Sequence, residues 1–214
     1  MSVITVTSQE LADMSGEERA LLINSLPGYK TGMLVGTCDT HDQTNLAIIS
    51  SHFHLGSNPP LLAMILRPNT GKSERHTLGN ILDTRSWTLN GFTLDRAARA
   101  HQTSAPYPKT QSEFDACGFE KEWLPAFAAP FVKDAPLQIG CVLREHHPLT
   151  INGTHMVIGE VQRLHYPAAA RRLDGALALD VMGLVAIAGL DTYTQPDEGL
   201  RLAPANTDTA SAAL

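Results

Sequence analysis

Hydrophobic positions along this chain come in short alternating or continuous blocks bounded by turn residues, the pattern of successive β-strands. Thr31 to Cys38 reads as a strand closed by the polar turn Asp39 to Gln43. Asn45 to Ser51 reads as a second strand and Pro60 to Leu66 as a third. The third is apolar at every position, as expected of a strand buried on both faces. Trp87 to Phe92 is a fourth, and Leu137 to Arg144 a fifth in which Leu137, Ile139, Cys141 and Leu143 alternate. Met156 to Leu164 and Val181 to Ala188 complete the set, and Asn152-Gly153 signals a hairpin before the first of these two. Two longer stretches read as helices, Ser15 to Leu26 and Ser73 to Leu82. Ser15 is the N-cap of the first, with Glu18 at capping-box spacing, and Pro27-Gly28 ends it. Residues 1–8 read as a strand or loose arm, and residues 93–136 as short helical pieces and turns. Strands in succession with few helices predict a mainly β fold, a small antiparallel barrel with peripheral helices. With no internal repeat and no linker, a single domain is expected over 1–203, followed by a small, polar, frayed tail at 204–214.

Composition narrows the function classes. The chain has 214 residues, 43% hydrophobic and 18% charged, which is globular and excludes a mostly disordered polymer. A net charge of -6 gives no basic face for nucleic acid. The longest apolar runs, such as Leu61 to Leu66, fall far short of the ~20 residues of a membrane-spanning helix, so no membrane partner is expected. Cys38, Cys117 and Cys141 are odd in number and widely spaced, forming neither a disulfide framework nor a CxxC pair. The N-terminal residues lack a basic stretch followed by an apolar run. The expectation is a reduced, cytoplasmic protein.

Several motifs tempt and fail. Gly71-Lys72-Ser73 resembles the end of a phosphate-binding loop, but Leu66 stands where that loop needs glycine. No GxGxxG occurs. His52-Phe53-His54 puts two imidazoles on one side of a strand without a third ligand, so no metal site is expected. His146-His147, beside Pro148, reads as part of a solvated turn. Ser50 and Ser51 lack the GxSxG elbow of a hydrolase nucleophile.

Two segments combine better. In Asn45-Leu-Ala-Ile-Ile-Ser50-Ser51-His52-Phe-His-Leu-Gly-Ser-Asn58-Pro59-Pro60, a strand ends in small hydroxyl residues that let a flat ligand approach the backbone, and a Gly/Ser/Asn turn or loop then leads to the Pro-Pro entry of the next strand. In Arg67-Pro-Asn69-Thr-Gly-Lys-Ser73-Glu-Arg75-His76-Thr77-Leu-Gly-Asn80-Ile81, a chain leaves a buried strand and opens a helix. Helix N-termini favour phosphate, and Arg67, Arg75 and Thr77 add charge and a hydroxyl.

Together these segments resemble the signature of the flavin reductase-like family, whose fold is the FMN-binding split barrel. Asn152-Gly-Thr-His155-Met-Val-Ile-Gly159-Glu160-Val161 resembles the family's G-D-H…G-E-V strand, and Gly189-Leu190-Asp191-Thr192-Tyr193 its closing G-L-D-x-Y. Ala100-His101-Gln102-Thr103-Ser104-Ala105, with Ser112-Glu113-Phe114, is similar to an insertion in one branch of the family. Thr154 departs from the pattern, since many relatives carry Asp there. The resemblance implies an antiparallel split β-barrel and FMN held at a homodimer interface. It implies hydride transfer from NADH or NADPH to the flavin, with reduced flavin passed on to a partner monooxygenase. An electron-transfer protein without its own NAD(P)H activity is the alternative. Carried over residue by residue, Asn45, Ser50, Ser51, His52, Arg67, Arg75 and Thr77 are the cofactor-binding residues, with the three last at the phosphate. His155 lies where the nicotinamide stacks and is the catalytic candidate, working as a neutral imidazole because Thr154 supplies no carboxylate.

Overall fold

The computed structural model describes residues 3–69, 74–207 and 213. In chain order the elements are α1 (Ser8–Asp13), α2 (Gly16–Ser25), β1 (Lys30–Thr31), β2 (Met33–Cys38), β3 (Thr44–Ile49), β4 (His52–Ser57), β5 (Pro60–Leu66), α3 (His76–Thr84), β6 (Ser86–Gly91), α4 (Ala97–Gln102), α5 (Glu113–Ala116), β7 (Lys121–Glu122), β8 (Phe131–Val132), β9 (Gln138–Pro148), β10 (His155–His165), β11 (Ala186–Ala188) and β12 (Thr192–Thr194). Ser73, where the sequence starts the second long helix, lies outside the described residues, as does much of the tail.

Local chemistry accounts for most of these bounds. The Ser15 side chain accepts from the Glu18 N–H and starts α2 as expected. The N-terminal arm is instead partly helical. Thr7 accepts from the Glu10 N–H while Glu10 returns a bond to the Thr7 backbone, a reciprocal cap that starts α1. The stretch after Ser51, read from its Gly, Ser and Asn as a loop, is the strand β4, because His52 to Ser57 finds a ladder on β5 with one irregularity between His54 and Gly56. The final strand is shorter than its apolar run. Gly183 takes a left-handed φ of 62° and turns the chain, so only Ala186–Ala188 pair, and Thr192–Thr194 return beside them.

All neighbours in the main seven-stranded sheet are antiparallel, in the order β3-β2-β6-β9-β10-β5-β4. The two edge strands, β3 and β4, are consecutive in the chain and separated only by Ser50 and Ser51. Laid flat, seven strands would put the edges about 29 Å apart. The three Cα steps from Ile49 to His52 reach about 11 Å at most. The sheet must therefore curl until its edges meet. They meet without sharing a ladder, so the barrel is split at that seam.

The barrel interior is filled by Met33, Val35, Ile49, Met64, Trp87, Leu89, Cys141, Leu143 and Val157, with Ile81 of α3 closing it. The alternate residue Leu34 points outward, into a second core with Leu46, Phe92, Phe114, Phe119 and Ile187. Every residue of β2 is thus buried, because the insertion 93–136 and β11 cover its outer face. β5 differs from its all-apolar reading: only Ala63 and Met64 are fully buried, and Leu61, Leu62, Ile65 and Leu66 stay half-covered. On β4, Phe53 and Leu55 are exposed.

Gly159 marks a register shift in the β9–β10 ladder and lies against the buried Trp87 indole. A Cβ at this position would land on the indole ring itself. Gly159→Ala should cost about 1–3 kcal/mol through overpacking and lower the thermal midpoint. Adding Trp87→Phe, which removes the contacted ring atoms, should recover part of that loss. Thermal unfolding of the single and double variants checks this; an unchanged midpoint for Gly159→Ala would show that the barrel wall yields.

Candidate functional site

The exit of β5 gathers most of the predicted residues. The Ser51 hydroxyl donates to the Ile65 carbonyl at 2.9 Å, and the Ile65 N–H donates back to the Ser51 carbonyl at 2.9 Å. His155, the first residue of β10, stands opposite Leu66 on the other side of β5. Arg67 follows Leu66 directly, and Asn69 accepts the Arg75 N–H at 2.8 Å, bringing the start of α3 to the same end. Ser50, Ser51, Arg67, Arg75 and His155 therefore surround one end of one strand.

A buried polar network sets the position of α3. The Asn45 amide donates to Thr77 Oγ1 at 3.1 Å and to Thr37 Oγ1 at 3.4 Å, and the Asn80 amide donates to the same Thr37 oxygen at 3.1 Å. All four side chains are buried, so this network ties the first turns of α3 to β2 and β3. Asn45 and Thr77 are brought together here, a strand's length from Ser51. His52 is turned the other way: its Nε2 lies 3.0 Å from the Thr31 carbonyl, and burial pushes its pKa down.

Arg67 and Arg75 have no acidic partner among the described residues. Burial, and then the neighbouring Arg67 guanidinium, lower the Arg75 pKa from its ordinary value. Two like charges near each other without a carboxylate between them raise the local positive potential. The start of α3, whose N-cap Arg75 makes no side-chain cap bond, lies at the same place.

His155 has a partner that the sequence did not disclose. Its Nδ1 lies 2.9 Å from His146 Nε2, with the rings stacked at 5.1 Å and 25°. His146 is not in a turn; β9 continues to Pro148 and carries it within the ladder opposite Val157. The chain reverses over 149–154 instead, with Gly153 at φ 73°. His147, its neighbour, pairs outward with Glu145 at 2.6 Å.

The insertion protects the seam. β3 is an edge strand, and two of its outward N–H groups are capped from the insertion: Leu46 donates to Glu113 at 3.0 Å and Ile48 to Thr103 Oγ1 at 2.9 Å. The Thr44 and Ser112 hydroxyls meet at 2.7 Å beside them. Glu113 is only 6% exposed. Burial pushes its pKa up, against the pull of the Leu46 N–H and of nearby His76.

The fold is a split antiparallel barrel with serines at its seam and an arginine pair at a helix start. The chain belongs to the flavin reductase-like family, whose flavin reductase like domain is matched over residues 26–178. It is similar to a split-barrel protein of Shewanella frigidimarina NCIMB 400, assigned provisionally to the flavin reductases: 42% identity, 95% of this chain and 100% of that one, TM-score 0.90. It shares its fold with nitrilotriacetate monooxygenase component B from Bacillus cereus, at 18% identity over 94% of this chain and 100% of that one, TM-score 0.82. An uncharacterized protein of Aquifex aeolicus (strain VF5) is 24% identical over 126 residues, which is 59% of this chain and 63% of that curated relative's length. Among the described residues, no helix is long and apolar enough to cross a membrane.

Glu113 generates a pH prediction. Its folded pKa is raised above 4.5, so below that value both states are protonated and it has no effect. As pH rises through the window above 4.5, the unfolded state releases its proton first, and the folded state loses stability until the buried group also ionises. Glu113→Gln keeps a carbonyl for Leu46 and removes this fall. Urea unfolding between pH 4.5 and 7.5 should show a flatter stability profile for the variant; parallel profiles would mean the carboxyl titrates normally.

Proposed function

We propose that this chain is an FMN-dependent oxidoreductase that takes hydride from NADH or NADPH. It works as a cytoplasmic homodimer and supplies reduced flavin to a partner monooxygenase. The observation that carries the reading is the Arg67–Arg75 pair, free of acid partners at the N-terminus of α3 and next to the Ser50-Ser51 seam. Bound FMN would supply the hydride-accepting ring. Arg67 and Arg75 hold the phosphate, with Thr77 behind them. Ser50 and Ser51 offer hydroxyl and backbone groups to the ring and ribityl chain; the Ser51 oxygen keeps its lone pairs, since its proton goes to Ile65. Asn45 acts by fixing α3, and His52 by bracing β4 against Thr31. His155 orients the nicotinamide of the donor. The free, buried cysteines suit a reducing compartment.

Exposed Phe53 and Leu55 on β4, beside half-covered β5, support a second copy packing over this face and completing the flavin groove. Light scattering should give twice the 23.1 kDa of one chain. A particle of single-chain mass would remove the dimer and the interfacial site with it.

Arg75→Ala deletes one charge-assisted phosphate contact, worth about 1.5–3 kcal/mol, so FMN affinity should fall roughly tenfold to a hundredfold. Riboflavin, which lacks the phosphate, should bind both proteins alike. Equal losses for the two flavins in a fluorescence titration would overturn the phosphate assignment.

His155→Ala should slow anaerobic flavin bleaching by NADH or NADPH roughly tenfold to a hundredfold while FMN affinity stays the same, the mark of lost donor orientation. Dithionite reduction serves as control. Wild-type protein that bleaches only when a separate reductase is added would instead be an electron carrier.

A further inference from the structure

Near the proposed donor site, the titratable side chains of His146 and His155 are in direct ring-to-ring contact. Backbone geometry places both on the barrel's inner face. His146 stands opposite Val157, and Val157 opposite Met64; both of these are buried in the interior core. His155 lies two residues before Val157 on the same face of β10, the diagonal position from which long side chains of adjacent strands touch. The pair therefore closes the inner face at the β5 exit, where Leu66 and Arg67 also stand.

Two imidazole nitrogens 2.9 Å apart share a single hydrogen. Whichever ring donates, the link fixes the tautomer of the other, and with it the role of the nitrogen His155 has left, Nε2. We propose that His146 is a positioning residue for His155, holding its ring and tautomer through the Nε2–Nδ1 hydrogen bond so that the pair takes up one proton as a unit. The role assigned to His155 rests on the donor-orienting reading above; the pairing itself does not.

His147 and Glu145 are engaged with each other on β9, and Glu160 of β10 is held by Arg144. Arg67, following Leu66 of β5, is the cation nearest in register to His155. No carboxylate faces the pair from β10, where Thr154 precedes His155 and bonds Asn152 instead. Burial, followed by His155 and His147, lowers the His146 pKa.

Side-chain 15N and 13C NMR of the full chain tests the pairing without any flavin. In wild type, one tautomer should dominate at His155, and the two rings should titrate as coupled steps separated by more than about one pH unit. In His146→Leu, His155 should show mixed tautomers. His146→Gln, whose amide reaches the same place, should restore one tautomer. Stopped-flow bleaching by NADH or NADPH should follow the same order, with His146→Leu slowed at least fivefold, His146→Gln near wild type and FMN affinity equal in all three. Independent titrations in wild type, unaltered by His146→Leu, would overturn the proposal, as would unchanged bleaching in that variant. If wild type shows the coupled titration but neither nicotinamide bleaches its flavin, the pairing stands and the donor-orienting reading fails.

Discussion

The short link between β3 and β4 is the constraint on which the rest of the structure depends. Two residues join strands at opposite ends of a seven-strand order, and only a curled sheet lets so short a link reach. Curling encloses the inner core around Trp87 and Met33 and brings the β5 exit, the start of α3 and the start of β10 to one place. The link itself has small side chains and lies at the open seam. A bulky or rigid connection here would disturb the closure and the candidate site together.

Closure leaves an exposed problem at β3, whose outer N–H groups have no strand to bond. The insertion answers with a buried carboxylate and a threonine hydroxyl, and its aromatic residues, Phe114 and Phe119, build the second core on the outer face of β2. This explains an acid in so apolar a setting. An unsatisfied buried backbone N–H costs about 1–3 kcal/mol, and the raised pKa of Glu113 is the accompanying penalty. The Asn45–Thr37–Asn80 network in turn sets the placement of α3 from β2 and β3.

Much of this was legible in the sequence. The strand blocks, the Ser15 cap and the barrel class follow from alternation and turn residues alone, and the order of the S-S, R-P and R-x-T segments pointed to the family. β4 was missed because a short edge strand with Gly and Ser lacks a continuous apolar run, and its identity depends on the partner β5. The turn at His146-His147 was misplaced because Pro148 reads as a breaker, yet it closes β9 by sitting at the strand's end. The His146–His155 contact needs the register of two 11-residue strands. A shift of one position would turn the rings to opposite faces, and nothing in the local pattern states that register.

The connectivity also divides the candidate site by sequence distance. Ser50, Ser51 and Arg67 stand in neighbouring segments, with β4 and β5 joined as a hairpin, whereas His155 reaches Leu66 only through a pairing between segments far apart in sequence. Contacts of such long range carry a large loop-closure cost and form late in folding. The seam is thus built from neighbouring segments, whereas the histidine end depends on the long-range β5–β10 and β9–β10 ladders.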